Sequence, residues 1–310
     1  MTSSLPATAQ SPSMISNRTR SGWWYFGGGV LAAVIGLLPW LITGLRLPLQ
    51  NLWAVETPAE RMPIALLPFS QYKLSLMLAL IIFGSALAGL FARTAPAGVR
   101  GRASLSSLAG VLLIFVGAGV QSTVVVYRGL ADDPRSTIYL GAVIGVIVVG
   151  IVVGLIVLAL LAMAPRAGAS IGGTLAAIAA GLWLGSVIFA DHQSGSVLIN
   201  RWLGYSSWLP GILTGLTLAW CGLHSVGRAV AWFFDLLLLW IIPAGLTAMS
   251  YGAGSRVLAQ DPAEMVSASL QVFRMALGTD GISLRLAGLA FVIGLIGVGL
   301  RSLRQRGRSR

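Results

Sequence analysis

Apolar runs of about twenty residues, each closed by an arginine, a proline or a short polar patch, follow one another along the chain. Crossing a hydrocarbon core of about 30 Å takes roughly 20 residues of helix. Eight stretches meet that length: 22–45, 73–92, 104–127, 138–163, 168–190, 208–226, 229–250 and 284–300. The clearest runs from Ile138 to Met163, with no charge and a core dense in valine and isoleucine. Such β-branched density favours strand in water. In lipid an isolated segment must satisfy its own backbone, so it forms helix. A spanning β-barrel needs alternating apolar and polar positions, and no stretch alternates in that way. The pattern predicts an all-α membrane protein, a polytopic bundle of about eight transmembrane helices.

The gaps are too short for a soluble domain, the longest being 46–72 and 251–283. The first is broken by Pro48, Pro58, Pro63 and Pro68 and has room for a turn or two of helix. Thr57-Pro58-Ala59-Glu60 carries the chemistry of a capping box. Asp261-Pro262-Ala263-Glu264 repeats it ahead of an amphipathic stretch. There Val266, Leu270, Phe273 and Leu277 form an apolar stripe opposite Glu264, Ser267, Gln271 and Arg274, and Gly278 supplies a stop. These residues predict an amphipathic helix over 262–277, lying flat on the outer face or capping the bundle. Domain limits follow: a disordered cytoplasmic leader over 1–21, one transmembrane helical domain over 22–300, and a basic tail over 301–310. The leader and first span read as an uncleaved signal anchor. Trp23, Trp24 and Tyr25 at one rim, and Trp202, Tyr205 and Trp208 at the other, fit the aromatic belts of a bilayer.

Composition then excludes other classes. The hydrophobic set reaches 56%, charged residues only 10%, and the mean hydropathy is +0.85, against about 25% charged in soluble domains. Cys221 is the single cysteine, so no disulfide framework exists. The net charge of +12 suggests a nucleic-acid partner until it is sorted by segment. With the N-terminus inside, Arg18, Arg20, Arg93, Arg100, Arg102, Arg166, Arg228 and the arginines of the tail fall on the cytoplasmic side with no acid among them. Acids and cations nearly balance on the other side. That predicts both termini inside, partners limited to the lipid bilayer, to anionic headgroups at the tail and to other membrane proteins, and no nucleic acid. The location expected is the cell (plasma or inner) membrane. Lys73 is the only lysine against 21 Lys plus Arg, a bias that points to a GC-rich bacterial genome.

Candidate chemistry is sparse. Nucleotide-binding glycine loops, zinc-protease and serine-hydrolase motifs are all missing from the sequence. No cofactor, metal site or catalytic residue is expected; Asp191-His192 offers two metal ligands, which is too few. Asp235 is the one acid inside a span, and an acid there costs about 2.5–3.5 kcal/mol at mid-bilayer. Arg228 lies seven residues before it at nearly the same azimuth, and His224 closes the preceding span. The three form a candidate intramembrane polar site, read either as a proton-coupled or ligand site or as a clamp fixing a helix hairpin. Gln121, Ser122 and Thr123 form a polar notch that either lines a cavity or makes interhelical hydrogen bonds. Gly-xxx-Gly pairs occur about as often as 39 glycines in 310 residues produce by chance, so they carry no dimer argument. Gly141/Gly145 and Gly150/Gly154 nevertheless present notches on opposite faces of the fourth span, which suits a helix clasped from both sides. Pro39 and Pro243 sit inside spans, the second deep enough to kink its helix.

The sequence supports two functional expectations. The first is a non-catalytic envelope accessory or scaffold protein. The alternative is a permease-like transporter of a small solute, proton-coupled through Asp235 and His224. The topology has its own test. A cysteine at Ser267 is expected to react with a membrane-impermeant maleimide on intact cells, and one at Arg310 only after permeabilisation; labelling of the tail from outside would reverse the orientation.

Overall fold

The computed structural model describes residues 21–190, 204–255 and 261–308, and all statements below concern those residues. Nine helices are described among them: α1 (Gly22–Ile42), α2 (Leu74–Arg93), α3 (Arg100–Gly129), α4 (Pro134–Met163), α5 (Arg166–Ala190), α6 (Leu209–Cys221), α7 (Val226–Gly254), α8 (Pro262–Leu277) and α9 (Ile282–Arg308). No strand forms among the described residues, only two isolated bridges. Seven stretches are long and apolar enough to cross a bilayer: α1 to α5, α7 and the one that contains α9. The chain is a multi-pass helical membrane protein.

The sixth predicted span differs. Helix α6 has 13 residues, about 20 Å at 1.5 Å each, which is short of the hydrocarbon core. Pro210, in its first turn, has no N–H with which to join a helix running in from before it. At the other end Gly222, at φ +73°, turns the chain out of the helix. The segment still runs from rim to rim. A separate helical turn at 204–206 puts Ser206 near Gly185, and Trp220 reaches the level of Arg166.

The helices α1 to α7 and α9 alternate in direction, while α8 runs the same way as α9, so the chain has two distinct ends. At one, Arg93 donates to the Leu161 carbonyl at 2.7 Å, both Arg93 and Arg166 sit over Trp220, and Arg301 donates to the Trp220 carbonyl at 3.1 Å. This arginine end also carries Arg100, Arg102, Arg228 and Arg304. Every described acid except Asp235 lies toward the other end, the loop end. Helix α9 runs on through Arg308, so the basic tail begins as a continuation of the last helix and not as a separate segment.

Helices α1 to α4 enclose the larger apolar core, and α5, α6, α7 and α9 a second. Close backbone approach sets the first: Gly36 rests on the Leu80 carbonyl and Gly84 on the Ala32 carbonyl, with no space for a Cβ on Gly36. Of the two notches expected on α4, one is used. Gly154 abuts Ser85 of α2, whereas Gly141 and Gly145 meet nothing, so α4 is clasped from one side there.

The two cores join through α5. Pro39 cannot donate to the carbonyl four residues back, Ile35, and so leaves that oxygen without its helical partner. Trp183 Nε1 of α5 fills the gap, donating to Ile35 O at 3.2 Å and Gly36 O at 3.0 Å, while its ring packs on Phe83 at 4.8 Å.

The loop between α1 and α2 is a folded cap. Gly44 (φ +83°) and Leu45 (φ +60°) turn the chain back, and Leu47, Met62, Leu67 and Phe69 are buried beneath it. Leu47 N donates to Pro63 O and Ala65 N to Leu45 O, both at 2.9 Å, and Trp40 Nε1 donates to Ala65 O at 2.8 Å. The expected helical turn appears as a 3-10 turn at Ala59–Arg61, but Thr57 does not cap it; its hydroxyl donates to Val55 O.

The amphipathic helix has the predicted bounds. Asp261 Oδ1 accepts from Ala263 N at 2.9 Å and Glu264 N at 3.1 Å, and the helix ends at Gly278 without a left-handed turn. It packs on the spans and does not lie flat. It stands antiparallel along the last turns of α7, with Ser269 against Gly252 and Trp240 Nε1 donating to Leu277 O at 3.1 Å. Val266 and Leu270 of the predicted apolar stripe remain half exposed, because small residues give the closer contact.

Replacing Trp183 with Phe keeps the ring stack and removes the shared donor. The expected loss is about 1–2 kcal/mol, read as a lower unfolding midpoint in detergent or bicelles. An unchanged midpoint would refute the bond's role in joining the cores.

Candidate functional site

Asp235 lies in α7 with 0% of its surface exposed. Thr174 of α5 donates its hydroxyl to Oδ1 at 2.9 Å, and Ser170, one turn earlier on α5, stands beside the same carboxyl. Oδ2 has no hydrogen-bond partner among the described residues. A buried polar atom without a partner costs about 1–3 kcal/mol, so it marks a place where structure alone does not account for the residue.

Sequence reasoning grouped Asp235 with His224 and Arg228, and the structure divides that group. His224 Nδ1 and Arg228 Nη1 flank the space beside Gly222, one residue exposed and the other half-buried. No ion pair joins either to Asp235 among the described residues. Seven residues give Arg228 and Asp235 one azimuth but separate them by about 10 Å along the helix. The guanidinium keeps its hydration by staying at the rim. The partners that sequence reasoning missed, Ser170 and Thr174, carry a legible signal: two hydroxyls at i, i+4 on one face of an apolar span.

The polar notch of α3 is likewise reassigned. Gln121 Oε1 accepts from Leu66 N at 2.9 Å, its Nε2 donates to Ile64 O at 3.0 Å, and Ser122 Oγ accepts from Leu67 N at 2.8 Å. Thr123 bonds back to Gly119 O within its own helix. Gln121 and Ser122 therefore pair with the buried backbone of the cap, much as a neighbouring strand would. None of the three lines a cavity described below.

The main hollow opens at the loop end, between the two cores. It measures about 800 Å³ and is lined by Pro39 of α1, Ser75 of α2, Gly185 and Ser186 of α5, Pro210 of α6, Pro243 and Ser250 of α7, and Leu286 of α9. Ser75 and Ser250 hydroxyls meet at 2.7 Å on its wall. Ile178 lies at its deep end, and Thr174 is one turn below, about 6 Å along α5. Leu239, fully buried, fills the corresponding turn of α7 between Pro243 and Asp235. The carboxyl is thus one apolar layer beneath the floor.

No three His, Cys, Asp or Glu side chains gather into a metal-binding group among the described residues. Asp191 and His192 lie outside them. The buried thiol of Cys221, at the end of α6, shares Ser170 with Asp235, and the arrangement offers proton exchange or hydrogen bonding at Oδ2. Compared with protein-family models, curated proteins and solved structures, the chain has no match in any of the three.

Changing Gln121 to Leu strands Leu66 N and Ile64 O. The cost expected is about 1–3 kcal/mol, most of it from the part-buried Leu66 N, since Ile64 O can turn to solvent, and limited proteolysis should cut faster between residues 46 and 72. Cleavage at the parental rate would show that the cap does not depend on α3.

Proposed function

We propose that this protein is a permease-like carrier of a small, mostly apolar solute bearing hydroxyl or amide groups. The loop-end hollow serves as its entry site and Asp235 as the proton-exchanging group beneath the floor. One observation carries the reading: a hollow of about 800 Å³ between two helix cores ends one turn above a buried carboxyl with an unpartnered oxygen. Solute sites in transporters sit at such seams, beside interrupted helices. Pro39 and Pro243 lie inside two of the helices lining this one, each removing a ladder hydrogen bond, and Pro210 opens a third.

Each group has a role in this reading. Hydroxyls of Ser75, Ser186 and Ser250 accept and donate to the solute, while Pro243, Leu286 and Ile178 hold its apolar part. Opening the layer formed by Ile178 and Leu239 brings Asp235 into contact with the hollow. A proton gained or lost at the carboxyl then changes how many donors it needs, and so biases the layer between closed and open. His224 is too far toward the rim to share that step and is left as a surface histidine. The segregation of acids toward the loop end supports placing that end outside the cell and both termini inside, in the cell membrane of a bacterium.

Uptake of radiolabelled neutral and amphiphilic solutes by cells producing the parent, Asp235→Asn or Gly185→Trp tests the reading. The parent should accumulate at least one solute above vector controls. Gly185→Trp, which fills the hollow, should abolish that uptake, and Asp235→Asn should remove its dependence on the proton gradient. Equal uptake in all strains would return the protein to the scaffold class.

A further inference from the structure

A second hollow lies at the arginine end and has no part in the solute route. It is a slot of about 390 Å³ whose floor is a row of small residues on α5, among them Gly173, Ala176 and Ala180, with α2 and α6 as walls. Its lips, Leu90 and Leu216, are 49% and 55% exposed, so the slot opens sideways, where lipid chains run. From Ala169 to Ala180 the floor is about 17 Å long, close to half of a hydrocarbon core of about 30 Å. That is the depth of one leaflet.

The slot ends in cations. Arg93 and Trp220 line it, and the guanidinium carbons of Arg93 and Arg166 lie 5.5 and 5.9 Å from the Trp220 ring centre. Arg93 is fixed there by donating Nη1 to Leu161 O and Ala164 O, while Arg100 and Arg166 repel it. Among the described residues no carboxylate stands at this end except Asp235, which is held by Thr174. A cluster of like charges packed on an indole ring therefore lacks a counter-ion among the described residues.

We infer that this slot binds an acidic phospholipid of the leaflet at the arginine end, one acyl chain lying along α5 and the phosphate held between Arg93 and Arg166. An apolar channel of one-leaflet length leading to unbalanced guanidinium groups is complementary to an anion with a long apolar tail, and to no soluble anion. Guanidinium forks match phosphate oxygens in pairs, and Trp220 keeps the cations at headgroup depth. The inference does not depend on the carrier reading.

Native mass spectrometry of the full chain in mild detergent tests it, with phosphatidylglycerol, phosphatidylcholine of the same chains, and glycerol 1-phosphate as probes. One phosphatidylglycerol should survive detergent removal, with phosphatidylcholine retained about fivefold less, the ratio that one surface cation supplies. Arg166→Gln, at an exposed position that leaves the fold intact, should lower phosphatidylglycerol retention by about the same factor. Leu90→Trp and, independently, Leu216→Trp should lower retention of both lipids by narrowing the slot. Equal retention of the two lipids, or no effect of Arg166→Gln, would overturn the inference. So would displacement of phosphatidylglycerol by glycerol 1-phosphate, which would leave an anion site without a lipid.

Discussion

A carbonyl oxygen stranded in hydrocarbon has to find a donor, and the donor that Ile35 finds holds this protein together. Pro39 breaks the ladder of α1 at that oxygen, and Trp183 reaches across from α5 to complete it. Without the proline the indole would face a saturated helix; without the indole the proline would leave a buried group unpaired. The same contact fixes how the larger core meets the smaller one, and hence the width of the seam between them. Both hollows are bounded by that seam. The proline is therefore part of the joint and does not act as an isolated kink.

A second layer of organisation follows the same rule outside the helices. The segment after α1 buries Leu47, Met62, Ala65 and residues 67–70 although it has almost no regular structure, and buried irregular backbone persists only where side chains meet its polar groups. Gln121, Ser122 and Trp40 do so from neighbouring helices. In consequence the cap is tied to α1 and α3, and Tyr72 and Ser75 line the hollow beside it.

Much of the fold could be read from the sequence because membrane helices advertise themselves by length. The amphipathic helix was legible to the residue, since Asp261 and Gly278 mark both ends. What escaped depended on distances that periodicity does not encode. Azimuth placed Arg228 over Asp235, but rise along the axis kept them apart. Hydropathy made 208–226 a full span, yet Pro210 and Gly222 cut the helix short. Glycine spacing offered two notches on α4, and only the presence of α2 decides which one is filled. Gln121 kept two readings, cavity or hydrogen bond, because a polar side chain in a span says that it needs a partner, not whether that partner is solute or backbone. Ser170 and Thr174 gave a signal at helical spacing, but the carboxyl that they serve is on another helix.

Helix α5 has opposite uses on its two sides. At 100° per residue, Gly173, Ala176 and Ala180 fall on one side, and Ile178, Gly181 and Gly185 on the other. The slot and the large hollow are thus separated in places by a single helix wearing methyl groups or none. One backbone is all that stands between them, so a sideways shift of this stretch of α5 narrows one hollow as it widens the other, in the turns just above Thr174 and its carboxyl.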